Sequence, residues 1–181
     1  MRALSLAVLF LTATSLVADE PNPTIENLTA TAANRKVSVR FTLRNVFTSE
    51  IVEALQSGVP TSFTYFIEIF RDRPNWFDDG ISAARVEVIC TFNSVTREYL
   101  LNYRRDRHLV RSETFTELAA LERAMTTIEE LELFDIDGRK PHKLKVRVKA
   151  NLDRGWLLYV IPWEVSTRWR EARVKPAEGS R

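Results

Sequence analysis

Apolar and polar residues alternate with a period of two along much of the chain, the spacing that places successive side chains on opposite faces of a β-strand. The alternation is cleanest in two places. Val37, Val39, Phe41 and Leu43 alternate with Lys36, Ser38, Arg40, Thr42 and Arg44, and Leu144, Val146, Val148, Ala150 and Leu152 alternate with Lys145, Arg147, Lys149 and Asn151. A weaker strand over 25–32 precedes the first of these, with Asn34 as the turn residue of an opening hairpin. Residues 61–72, TSFTYFIEIFRD, carry aromatics on both faces, which predicts a strand that is central or covered on both sides. In ISAARVEVICTFN, Val86, Val88, Cys90 and Phe92 share a face, so Cys90 is expected to point inward. Turns in FNSVTREY and around 105–108 bracket a further strand carrying Tyr99, Leu101 and Tyr103, and LVRSETF follows.

Two stretches break this period. In FTSEIVEALQSG, Thr48 is placed as N-cap, Phe47 as a hydrophobic staple onto Val52, and Gly58 as the left-handed residue just beyond a short helix. In the second, Thr116 is the expected cap, and Leu118, Leu121, Met125 and Ile128 form one stripe at helical spacing. The closing STRWREARVKPAEGSR is expected to be an edge strand fading into a polar tail. The elements sum to a mainly β fold: a single antiparallel β-sandwich or open-barrel-like domain with two short-to-medium helices packed against it.

The N-terminus, MRALSLAVLFLTATSLVADE, has one positive charge, a short apolar core and small residues near Ala18. It is too short for a bilayer span, which takes about 20 apolar residues, and reads as a cleaved secretory signal. Residues 1–18 are therefore assigned to the signal peptide, 19–24 to a linker, 25–175 to one β-rich domain and 176–181 to a polar tail. The expected location is the periplasm, with a peripheral membrane association as a variant. Of 26 Lys and Arg only Arg2 is lost on cleavage, against 24 Asp and Glu. So weak a field gives no support for nucleic-acid binding. A single cysteine excludes an internal disulfide framework and a thiolate metal cluster.

The order LRNVFTSEIVEALQSGVPTSFTYFIEIFRDRPNWFDD, then FNSVTREY, MTTIEELELF and LLYVIPWEVS resembles the bacterial family known as domain of unknown function 4390. Its shared features are a Phe-Thr capped helix, a Ser-Gly-x-Pro turn, a Phe-x-Tyr strand and a basic run into Trp-Phe-Asp. Asn93 stands where many members carry Asp. The resemblance implies an exported envelope protein and supplies no catalytic residue to carry over.

The search for chemistry in the residues themselves returns little. Asp78 and Asp79 are adjacent, so on an extended chain they point to opposite faces and do not form a carboxylate pair. FDIDGRK fails as a calcium loop because Leu133 and Leu144 fall where the first and twelfth ligands belong. Glu129, Glu130, Glu132, Asp135 and Asp137 read instead as a solvated acidic helix end and turn. His108 and His142 have no metal-ligand spacing, and five glycines leave no phosphate-binding loop. No cofactor is expected. Asn27-Leu28-Thr29 matches a glycosylation pattern that an envelope protein of a bacterium would not normally use.

Two surfaces remain as candidates. RDRPNWFDDG reads as a strand connection lying on a recognition surface made by Arg71, Arg73, Trp76, Phe77 and Asp78. Lys36, Arg40, Arg44, Lys143, Lys145, Arg147 and Lys149 would make a basic face if their strands lie together. The close is rich in tryptophan, with Trp156, Trp163 and Trp169, and is expected to be core. The expected function is a non-enzymatic binding or accessory module that recognises an envelope protein partner. The alternative is a peripheral binder or carrier of anionic lipid or glycan.

Overall fold

The computed structural model describes residues 22–72, 79–136, 140–153 and 164–177. Ten strands lie in it: β1 (Thr24–Ala33), β2 (Lys36–Arg44), β3 (Thr61–Arg71), β4 (Asp79–Asn93), β5 (Glu98–Arg105), β6 (His108–Phe115), β7 (Thr127–Asp135), β8 (Leu144–Asp153), β9 (Glu164–Ser166) and β10 (Arg170–Pro176). Helix α1 (Ser49–Gln56) joins β2 to β3, and α2 (Leu118–Thr126) joins β6 to β7. The expected signal and the end of the polar tail, with 73–78, lie outside the described residues.

All ten strands form one sheet, in the order β6-β5-β4-β3-β8-β10-β1-β2-β7, with β9 also on β8. It is strongly curled, an open half-barrel, so of the two architectures expected the barrel-like one holds. The curl is visible in a ring contact: Phe41 of β2 meets Tyr65 of β3 edge-on at 5.0 Å, although β1, β10 and β8 stand between those strands in the sheet. The concave face carries the alternating apolar set read from the sequence, including Val37, Val39, Phe41, Phe63, Tyr65, Val88, Cys90, Val146 and Val148, all at most 1% exposed.

Two of the hairpin turns use the same chemistry. Asn34-Arg35 links β1 to β2 and Asp106-Arg107 links β5 to β6, with all four residues at positive φ. Such two-residue turns match the twist of the strands they join. Helix α1 ends as expected on Gly58, at φ 85°. Gly58 N–H donates to Leu55 O and Val59 N–H to Ala54 O, so the terminal carbonyls are satisfied by the paired bonds of a Schellman motif. Thr48 occupies the N-cap position, yet its hydroxyl makes no capping bond.

Helix α2 differs more from expectation. Its N-cap position is Glu117, not Thr116, without a side-chain capping bond, and it stops at Thr126, so Ile128 belongs to a strand. Residues 127–135 pair with β2 in a register with two irregularities, each adding a residue on β7. Those bulges destroy the period-two signal, and the Glu- and Leu-rich composition favours helix locally. Pairing with the otherwise open side of β2 overrides that preference. Inside the half-barrel, four carbonyls near the C-terminus of α2 have named partners. Glu122 O accepts from the Thr126 hydroxyl, Arg123 O from Thr127 N–H, Ala124 O from the Tyr103 hydroxyl and Met125 O from the Tyr65 hydroxyl.

The closing strand is also misplaced by the sequence. β10 is not an edge: it lies between β8, antiparallel, and β1, its pairing with the latter being the one parallel pair among the described residues. Its short apolar content hides this position, because only Val174 is fully buried among largely charged residues.

Candidate functional site

The β3–β4 connection is where RDRPNWFDDG falls, and the strand-joining part of that reading holds: Arg71 closes β3, Asp79 opens β4, and the two face each other in the ladder. Arg73, Trp76, Phe77 and Asp78 lie outside the described residues. The outer face of the sheet just below this connection is well defined. Pairing of β3 with β8 sets Phe66 opposite Lys149, Glu68 opposite Arg147 and Phe70 opposite Lys145. Pairing of β8 with β10 sets Glu171 opposite Arg147 and Arg173 opposite Lys145.

Arg147 is the hub. Its Nε donates to Glu68 Oε2 at 2.7 Å, and its Nη2 lies 2.6 Å from the same oxygen. Its guanidinium also lies 5.5 Å from the Phe70 ring centre and 4.9 Å from that of Trp169. Trp169 precedes β10 and is 39% exposed, so this tryptophan is not core. Trp156 and Trp163 lie outside the described residues. Beside the hub, Lys145 Nζ is 3.1 Å from Asp72 Oδ1 and 3.9 Å from Glu171 Oε2, and Asp72 Oδ2 is 3.8 Å from Arg173 Nη2.

An open depression of ≈ 370 Å³ adjoins this group, lined by Glu68, Phe70, Arg147 and the side-chain-poor start of β4 around Gly80, Ser82 and Ala83. The small residues leave the space: Phe70 faces Gly80 and Glu68 faces Ala83 across the ladder. A Cβ added at Gly80 would meet nothing within 4 Å. The site therefore offers an aromatic face, an anchored guanidinium and a carboxylate beside a shallow recess, groups suited to stacking and directed hydrogen bonds.

The seven residues of the expected basic face fall into two rows. Lys36, Arg40 and Arg44 are on β2, while Lys145, Arg147 and Lys149 are on β8 with Lys143 in the turn before it, and β10 and β1 lie between. Three inter-strand steps put the rows about 14 Å apart. Acids are interleaved with them. Lys36 pairs with Glu132 at 2.9 Å, a hydrogen bond that raises its ammonium above the ordinary value, and Arg44 lies 3.7 Å from Glu26. Sequence reading looked along strands, and Glu68 is 79 positions from Arg147. Glu68, Phe70, Glu171 and the exposed role of Trp169 were therefore missed, with no local signal to find them.

Of the other candidates, His108 begins β6 and His142 sits in a single 3₁₀ turn at Pro141–Lys143, both exposed. Glu129, Glu130, Glu132 and Asp135 are on β7, not on a helix end, and Asp137 lies outside the described residues. Among the described residues, no three metal-capable side chains converge. None of the described helices is long and apolar enough to cross a membrane. Cys90 is fully buried, and burial pushes its thiol up to about 12.

The family model for Domain of unknown function (DUF4390) matches residues 20–171, and the chain belongs to that family. No curated protein and no solved structure matches it.

Proposed function

We propose that this DUF4390-family chain is an exported periplasmic module, non-enzymatic, that recognises a protein partner through the outer face around Arg147 and Trp169. The observation that carries the reading is the half-exposed Trp169 stacked on a guanidinium that Glu68 already holds in place. Trp and Arg dominate the energetics of protein interfaces, and an arginine fixed before binding loses less side-chain freedom on docking. The recess beside them gives a partner side chain somewhere to enter.

The anionic lipid or glycan alternative has weaker support. It needs uncompensated positive charge, whereas Lys145 and Arg147 each have a carboxylate partner within 3.1 Å.

A photo-cross-linking amino acid introduced at position 169 in cells tests the reading, with Val95, 89% exposed on a distant turn, as the control position. One envelope protein captured reproducibly at 169 and not at 95, and reduced by Arg147→Ala, supports the proposal. Absence of protein capture, with wild-type chain but not a Lys145/Arg147/Lys149 alanine variant sedimenting with anionic vesicles, transfers the assignment to the alternative.

A further inference from the structure

The two edges of the half-barrel are treated differently. At one end, β7 carries two bulges and exposed acids at Glu129, Glu132 and Asp135. Its backbone is also occupied: Arg105 reaches across the opening from β5 and donates to Glu132 O at 3.2 Å and Leu133 O at 2.6 Å. Bulges, acids and a capped carbonyl row are the devices that keep an edge from adding another strand. At the other end, β6 pairs only with β5, in a ladder with one bulge at Val110, and among the described residues no other strand pairs with its outer side. It runs for eight residues without Pro or Lys, and Leu109 and Val110 are 61% and 65% exposed.

The charges on β6 are arranged symmetrically. Arg111 and Glu113 flank Ser112 on the concave side, where Arg111 stacks on Tyr103 at 4.1 Å and meets Glu113 at 2.9 Å. When two β6 strands run antiparallel about a twofold axis through Ser112, Arg111 of each copy faces Glu113 of the other, and Val110 faces Thr114. Residues directly opposite in a ladder lie on the same face, so the Arg111–Glu113 pair forms twice. Self-pairing of β7 would instead bring acids together near its centre. We infer that the free edge of β6 is a self-association site, at which a second copy of this chain pairs antiparallel about Ser112 and continues the sheet.

The occupant is argued from this self-complementarity: opposite charges placed evenly about one residue, which meet within the strand in the single chain, face their opposites across a twofold axis. One eight-residue edge buries less than the ~1,200 Å² at the low end of standard stable interfaces, so the dimer is weak and concentration-dependent. β6 is four places from β8 in the sheet, so this surface is separate from the one around Arg147.

Sedimentation equilibrium of the purified protein over a wide concentration range tests the inference. The expected result is a monomer–dimer equilibrium, weakened about tenfold or more by Arg111→Glu alone and by Glu113→Arg alone, because attraction becomes repulsion at two symmetric pairs. Mixing the two variants should restore a heterodimer, visible by native mass spectrometry, which an effect confined to one chain would not produce. Circular dichroism establishes that each variant is folded, as expected for exposed positions. A wild-type protein that stays monomeric throughout, a dimer indifferent to both reversals, or a mixture that remains monomeric would overturn the assignment. So would protection of β6 amides from exchange by a different protein while this chain stays monomeric.

Discussion

Thr167 and Ala150 exchange two hydrogen bonds, one of them through a side chain. Thr167 N–H donates to Ala150 O at 2.8 Å, while Ala150 N–H donates to the Thr167 hydroxyl at 2.9 Å. The hydroxyl replaces a ladder carbonyl where one extra residue enters between β9 and β10 opposite β8. Asn151 faces Ser166 and Val148 faces Arg170, so two residues on β8 span three on the other side. That insertion reverses the in–out alternation, and Trp169 and Glu171 consequently emerge on the same outer face as Arg147.

Replacing Thr167 by Val keeps the volume and removes the acceptor, leaving the buried Ala150 N–H without a partner. The expected loss of stability is about 1–3 kcal/mol, read from the urea denaturation midpoint at unchanged slope. Thr167→Ser, which retains the hydroxyl, should lose distinctly less.

The two tyrosines that close α2 should differ. Tyr65→Phe strips a buried hydrogen bond from Met125 O, and Tyr103→Phe does the same for Ala124 O nearer the surface. We expect about 1–3 kcal/mol for the first and a smaller loss for the second, where water can reach the freed carbonyl. Equal losses in chemical denaturation would contradict this placement of α2.

Cys90 predicts a pH dependence. Burial raises its thiol from 9.0 to about 12, so below pH 9 the thiol is protonated in both folded and unfolded chains and its stabilising contribution is fully present. Between pH 9 and about 12 the unfolded thiol ionises while the folded one does not, and that contribution is progressively lost. Cys90→Ala should flatten this part of the stability profile relative to wild type, the raised tyrosines being common to both proteins. Alkylation of the native thiol at pH 8 should be slow and should become fast on unfolding.

Gly58 ends α1 at φ 85° with open space where a Cβ would go. The cost of Gly58→Ala is therefore backbone strain alone, about 1–2 kcal/mol. Gly58→Asn should cost less, because Asn tolerates the left-handed region better. Thermal unfolding of the two variants separates them.

Much of the sheet was legible because β-alternation is a local property. Val37 to Leu43 and Leu144 to Leu152 are buried at alternate positions as the pattern required, and Cys90 points inward with Val86 and Val88. Gly58 was legible for the same reason, since a left-handed helix terminus selects its own residue. β7 was not, because two bulges removed the period that would have marked it. Nor was the central place of β10, whose burial comes from neighbours on both edges and leaves only Val174 as an apolar clue.

The sequence by itself determined a β-rich fold with two helices, the inward face of most strands and the membership of one family. The first two follow from backbone periodicity and turn chemistry acting over a few residues. The tertiary structure decided that the sheet curls into a half-barrel and that an extra residue at Thr167 turns Trp169 outward. It also decided that Lys145 and Arg147, a bare basic row in the sequence, meet Asp72 and Glu68 from β3 and the residue after it. Charge neutralisation depends on which strands become neighbours, and strand order in a sheet is set by long-range packing that no local pattern encodes.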